Sequence, residues 1–169
     1  MRAYEIISND GVDGLVLNNR SVPDPGAYEI LVKVHASSIN YRDLSTIENP
    51  EARSINYPRI PNSDGAGEVV AVGSGVSRFK VGDRIAGCFF QRWSSGEITP
   101  SAMASAMGGP VDGVLAEYVI LPEEGAVLIP SFLSYAEAST LPCAGLTAWN
   151  CLVEQGGLKA GNTALFLGT

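Results

Sequence analysis

The chain has 169 residues, of which 46% are hydrophobic and 17% charged, with a formal net charge of −7. That mix is ordinary for a globular chain long enough to bury a core, and it argues against disorder. Acidic residues number 18 against 11 basic ones, and no two Lys or Arg are adjacent, so an electrostatic nucleic-acid binder is excluded.

In chain order, Met1-Arg2-Ala3-Tyr4-Glu5 offers no apolar signal core, so secretion is not expected. No stretch approaches the roughly 18 apolar residues of a membrane helix, so no membrane partner is expected either. Asn9-Asp10-Gly11 and Asp24-Pro25-Gly26 are turn signals in a segment that otherwise reads as strands. The triplet Asn19-Arg20-Ser21 has glycosylation spacing but carries no weight without a signal peptide.

Residues 29 to 36 alternate. Ile30, Val32, Val34 and Ala36 fall on one face, and Glu29, Leu31, Lys33 and His35 on the other, which describes a half-buried strand. His35, the single histidine, sits on the more polar face and reads as a solvated or hydrogen-bonded strand residue.

From 37 to 62 no period is strong. Arg42-Asp43-Leu44 can open a short helix, and Pro50, Pro58 and Pro61 interrupt the rest. Asp64 to Gly73 is a compact β-branched run flanked by glycines, hence a buried strand. Phe79 to Ala86, Gly113 to Leu121 and Gly125 to Ile129 supply further strands. With 19 Gly and 10 Pro punctuating them, a barrel or sandwich is expected.

Near residue 130 the texture changes. Ser134 and Glu137 have capping-box spacing. Ala144 to Leu152 is apolar at helical spacing, and Gln155-Gly156-Gly157 ends it. After a turn at Lys159 to Asn162, the run Thr163 to Leu167 reads as a short apolar strand of the parallel-sheet kind. Cys88, Cys143 and Cys151 are odd in number and far apart, which favours a reducing compartment over a disulfide framework. The expectation is a cytoplasmic protein.

Six segments, in order and spread over nearly the whole chain, resemble the medium-chain dehydrogenase/reductase superfamily. The branch is the zinc-independent one that is quinone-oxidoreductase-like and enoyl-reductase-like. The segments are Glu29 to Val34, Ser38-Ile39-Asn40-Tyr41-Arg42-Asp43, Pro61 to Gly67, Phe79 to Arg84, Ala116-Glu117-Tyr118 and Leu141 to Trp149. The resemblance implies a β-rich GroES-like barrel over 1–130. It is followed over 131–169 by the start of an α/β Rossmann domain, incomplete here. Leu165 to Thr169 then resembles the first Rossmann strand, with Gly168 and Thr169 opening a glycine turn for the cofactor.

The implied activity is hydride transfer between NAD(P)H, with NADPH preferred, and a small carbonyl, quinone or enone. A homodimer is implied for the full-length form. Zinc relatives carry Cys in the first ligand motif, Gly-His-Glu in the second and often Cys in the third. Here Asn40 and Ser63 stand at the first two, and Cys143 remains at the third. One thiolate cannot hold a catalytic zinc, which needs three protein ligands, so no metal is expected. Cys143 then reads as a small residue packing at a helix start.

Without zinc, fixed donors must meet the charge that develops on the substrate oxygen. Asn40 and Tyr41 occupy the ligand-replacing turn and are the candidate catalytic and cofactor-facing residues. The competing role for Asn40 is local backbone capping, and for Tyr41 packing with a satisfied hydroxyl. Arg42 either approaches the cofactor or is an exposed loop charge. Thr147 would approach the cofactor from the Rossmann side, or bond back along its own helix. Asp64 either orients its neighbours by hydrogen bonding or, as the preferred reading, holds structure. The 88–113 loop carries Phe90 and Trp93 either as part of a lid or as pins to the barrel.

Overall fold

A computed structural model describes residues 1–167. Gly168 and Thr169, assigned above to the cofactor turn, lie outside the described residues. Strands β1 (Arg2–Ile6) and β2 (Leu15–Asn19) form an antiparallel hairpin. Five strands then build the main sheet: β3 (Glu29–Ser38), β4 (Asp64–Val72), β5 (Arg84–Gly87), β6 (Tyr118–Pro122) and β7 (Ala126–Leu128). Their spatial order is β6-β3-β4-β5-β7, and every pair is antiparallel. Helices α1 (Tyr41–Glu48) and α2 (Pro100–Met103) lie in the connections.

The alternation read for residues 29 to 36 is the β3 pleat, with two register shifts against β4, at Leu31/Val32 and Val34/Ala36. Leu31 is buried although it falls on the polar face of the alternation. Ile30, Val32, Val69, Ile85, Val119 and Leu121 meet on the concave side around Met107, Val114 and Phe79, and form the core of a curled half-barrel.

The opposite face of the sheet is built from small residues. Ala66 pairs with Ala86 there, while Gly67 pairs with Ile85 on the core side. The alanines let the next segment approach closely. Ile129, Leu133, Tyr135 and Ala138 pack on them. Helix α3 (Tyr135–Ser139) starts at the expected capping box, in which Ser134 Oγ accepts the Glu137 N–H and Glu137 accepts the Ser134 N–H. Tyr135 stacks on His35 at 4.5 Å and 10°, and the Arg84 guanidinium lies 4.6 Å over its ring. His35 is therefore a half-exposed docking residue for α3.

Three expectations need correction. The strand expected from Gly113 begins at Tyr118. Residues 113–115 instead hydrogen-bond to Ile60, Pro61 and Asn62. The helix expected from Ala144 is helical from Leu141 to Gln155, as one α turn, α4 (Leu146–Trp149), between wide π-type turns. Pro142 has no amide hydrogen, so the ladder cannot run unbroken out of α3. The apolar run 163–167 forms no strand, because no partner strand lies beside it among the described residues. Leu165, Phe166 and Leu167 are exposed. No helix among the described residues is long and apolar enough to cross a membrane.

The sheet makes a contrast that urea denaturation can check. Ile85 is 1% exposed and Val127, on the neighbouring strand, 50%. Ile85→Ala should cost about 2–5 kcal/mol, the usual range for deleting a buried isoleucine side chain. Val127→Ala should stay within about 0.5 kcal/mol.

Candidate active site

The site is assembled where β3 ends and β4 begins. Ser37 pairs with Gly65 and Ser38 with Asp64. The turn that leaves β3 therefore lies beside the Asn62-Ser63-Asp64 segment that enters β4. Asn40 is the N-cap of α1, with extended backbone. Its N–H donates to Asp43 Oδ2 at 2.8 Å, and the Asp43 N–H returns to the Asn40 carbonyl at 2.9 Å. This local pairing fixes the turn, and it leaves the Asn40 amide nitrogen buried with no hydrogen-bond partner. Tyr41, the next residue, is 85% exposed.

Asp64 joins this turn to the C-terminal helical segment. It has no solvent exposure. Its Oδ1 accepts the Ser63 hydroxyl at 2.7 Å, and its Oδ2 accepts the Cys143 backbone N–H at 2.8 Å, across 79 positions of sequence. Asn40, Ser63 and Cys143, the three positions matched to ligand motifs, thus belong to one neighbourhood. Thr147 is one turn beyond Cys143, with its hydroxyl beside the thiol and its side chain exposed.

Burial pushes the Cys143 thiol up from its ordinary value, and the Asp64 and Asp43 carboxylates push the same way. Cys143 is a poor thiolate. Among the described residues, no three His, Cys, Asp or Glu side chains converge in a way that could hold a metal ion. With an amide, a hydroxyl and one disfavoured thiolate, the donor set does not fit a catalytic zinc.

Arg42 links this neighbourhood to the next loop, with its Nη1 3.6 Å from Asp43 Oδ1. Its Nη1 donates to the Met107 carbonyl at 2.5 Å, and its guanidinium lies 5.0 Å over the Phe89 ring. Burial lowers its pKa from the ordinary arginine value, and Asp43 opposes that shift. The residue read as a cofactor contact or an exposed charge is a tie to the 88–113 loop. No spacing in the sequence announces that contact.

Asp43, and Cys143 as the partner of Asp64, were not foreseen. The Asn40…Asp43 spacing was a readable signal, since it matches that of Ser134…Glu137. The Asp64 contact with Cys143 had no local signal. A cavity of about 900 Å³ lies elsewhere, between the N-terminal hairpin, the 101–113 loop and β6. It shares Met107 with the surroundings of Arg42. The candidate site rests on its donors and their chemistry.

The curled sheet with its β3–α1 turn defines a GroES-like half-barrel. Residues 26–131 match the family model described as the alcohol dehydrogenase GroES-like domain, and the chain belongs to that family. It is 41% identical to a zinc-type alcohol dehydrogenase-like protein of Schizosaccharomyces pombe, over 94% of this chain and 47% of that protein. It is 37% identical to a chloroplast envelope quinone oxidoreductase homolog of Arabidopsis thaliana, over 90% of this chain and 42% of that protein. A solved alcohol dehydrogenase-type chain of Sinorhizobium meliloti superposes with a TM-score of 0.87 at 42% identity, covering 95% of this chain and 48% of that one. The chain spans about half the length of the curated relatives it matches.

Asp43 generates a pH prediction. Burial raises its pKa above the ordinary carboxylate value, and Asp64 adds to the shift. Together they outweigh the bonds from the Asn40 and Ser63 backbone and the charge of Arg42. A carboxyl raised in the folded state contributes stability that is complete at low pH and is lost as pH rises through the folded value. In urea melts from about pH 4 to about pH 8, wild type should therefore lose stability relative to Asp43→Asn as pH rises. A difference between the two that stays flat across that range would contradict the burial argument.

Proposed function

We propose that this chain carries the substrate-side half of a zinc-independent, NAD(P)H-dependent oxidoreductase that reduces a small carbonyl, quinone or enone. The observation that carries the reading is the ligand-replacing turn. It keeps the family's architecture, holds an amide donor that the protein leaves unspent, and lacks a donor set for zinc. The Arabidopsis relative named as a quinone oxidoreductase homolog supports it. The relative named zinc-type supports a metal enzyme instead, and Cys143 is the one residue here on that side.

When bound, a reduced nicotinamide supplies the hydride. The chain's own residues do the rest. Negative charge grows on the acceptor oxygen, and the Asn40 amide donates to it. A donor fixed in place before that charge develops lowers the barrier without reorganising solvent. Tyr41, exposed beside Asn40, carries the phenolic proton that neutralises the product. Asp43 holds the turn in shape through the Asn40 N–H. Thr147 borders the same junction from the helix and fits a cofactor contact. NADPH as the preferred form, a dimeric full-length enzyme and a cytoplasmic setting belong to the same reading.

Two measurements on the full-length gene product test it. Asn40→Ala should lower turnover with enones or quinones by about a hundredfold, the usual loss for one positioned donor. Tyr41→Phe should fall in the same direction. Unchanged kinetics in both variants would remove these residues from the chemistry. Elemental analysis of active protein should find no stoichiometric zinc. One zinc per chain, removable with loss of activity, would favour the zinc-type reading.

A further inference from the structure

The donor turn accounts for the substrate oxygen. A second feature beside it bears on the rest of the substrate. Three aromatic rings follow β5 in edge contact. Phe89 and Phe90 have centroids 4.8 Å apart at 69°, and Phe90 and Trp93 are 5.7 Å apart at 78°. The series begins at Arg42, whose guanidinium lies over Phe89. Arg42 follows Tyr41, and its Nη1 lies 3.6 Å from Asp43 Oδ1, so one side chain links the donor turn to Phe89, from which the rings run along the loop.

These rings are not core residues. Phe89 and Phe90 are half-buried, and Trp93 is 44% exposed. Their backbone is braced independently of the ring faces. The Met107 N–H donates to the Phe89 carbonyl at 3.0 Å, and the Gln91 N–H to the Ser105 carbonyl at 3.2 Å. The buried Gln91 amide donates to the Cys88 and Gly125 carbonyls. Trp93 Nε1 is satisfied by the Gly96 carbonyl at 3.0 Å, so the indole needs no other polar partner. A braced row of partly exposed rings is a preformed surface for stacking, with little ordering entropy left to lose on binding. The guanidinium behind Phe89 adds no exposed charge, because Arg42 is spent on Met107.

We propose that Phe90 and Trp93, backed by Phe89 and Arg42, form a specificity wall for the flat conjugated ring system of the substrate. Preferred substrates are then polycyclic quinones and aryl-conjugated enones, ahead of short aliphatic carbonyls. This rests on the reductase reading above, and the experiment separates the two.

In the full-length gene product, the Kd of 9,10-phenanthrenequinone is measured without cofactor. KM is measured for the same quinone and for 3-penten-2-one with NAD(P)H. Trp93→Ala and Phe90→Ala should each raise Kd and KM for the quinone about three- to tenfold, the range for one aromatic pair. KM for the aliphatic enone should stay within about twofold, and Trp93→Phe should restore most of the quinone affinity. Equal losses for both substrates would make the rings structural braces and overturn the proposal, as would no loss for either. Trp93-dependent quinone binding in a protein that reduces neither substrate would keep the wall and sink the reductase reading.

Discussion

Asp64 begins β4 with no solvent exposure, and a carboxylate in that position persists only when hydrogen bonds meet its lone pairs. Ser63 meets one oxygen and the Cys143 backbone the other. Since Asp64 also pairs with Ser38 in the ladder, one buried side chain sets three segments against each other. These are the end of β3 with its donor turn, the start of β4, and the first turn of the C-terminal helical run. Removing it would leave the Cys143 backbone N–H unmet. The geometry of the candidate site therefore follows from satisfying the hydrogen bonds of one buried side chain.

The second constraint is size. On the outer face of the sheet Ala66 and Ala86 stand side by side, and larger residues there would hold α3 away. With α3 close, Tyr135 reaches His35 and Arg84, and the ring fills the space between them. Gly67 serves the other face. A Cβ there would lie 2.2 Å from the Lys33 carbonyl, so only glycine lets β3 and β4 approach at that point. Small residues thus fix where the helical run starts, and the Asp64 contact then fixes how it is held.

Much of this architecture was written locally. The alternation over residues 29 to 36 marks β3, and the β-branched run after Asp64 marks β4. Ser134 and Glu137 mark the start of α3 by a mechanism that acts within four residues. The site was legible only as a list of positions. Asn40 and Tyr41 could be placed on a turn, but the Asp64 contact with Cys143 spans 79 positions, and no period encodes it. Arg42 pairs with a carbonyl 65 positions away, where composition alone left it between a ligand contact and a solvated charge. The run 163–167 shows the opposite failure. It has a strand pattern, but a strand also needs a neighbour, and none lies beside it among the described residues.

The two buried carboxylates set the electrostatics of the candidate site. A divalent cation would stabilise the ionised form of carboxylates nearby. Asn40 and Ser63 offer an amide and a hydroxyl, while Asp43 and Asp64 are both fully buried and act on each other. Two like charges in that environment repel and lack solvation, so the site must relieve one of them. It divides the burden unequally. Asp64 receives a hydroxyl and a backbone N–H, one on each oxygen. Asp43 has one oxygen bonded to the Asn40 N–H and the other without a hydrogen bond, with Arg42 Nη1 at 3.6 Å. Burial, with Asp64 adding to it, holds the Asp43 pKa above the ordinary carboxylate value. In the proposed reading this matters for the Asn40 amide. An anion close by opposes the negative charge that a donor is meant to stabilise, and a carboxyl whose pKa is raised opposes it less than one at the ordinary value.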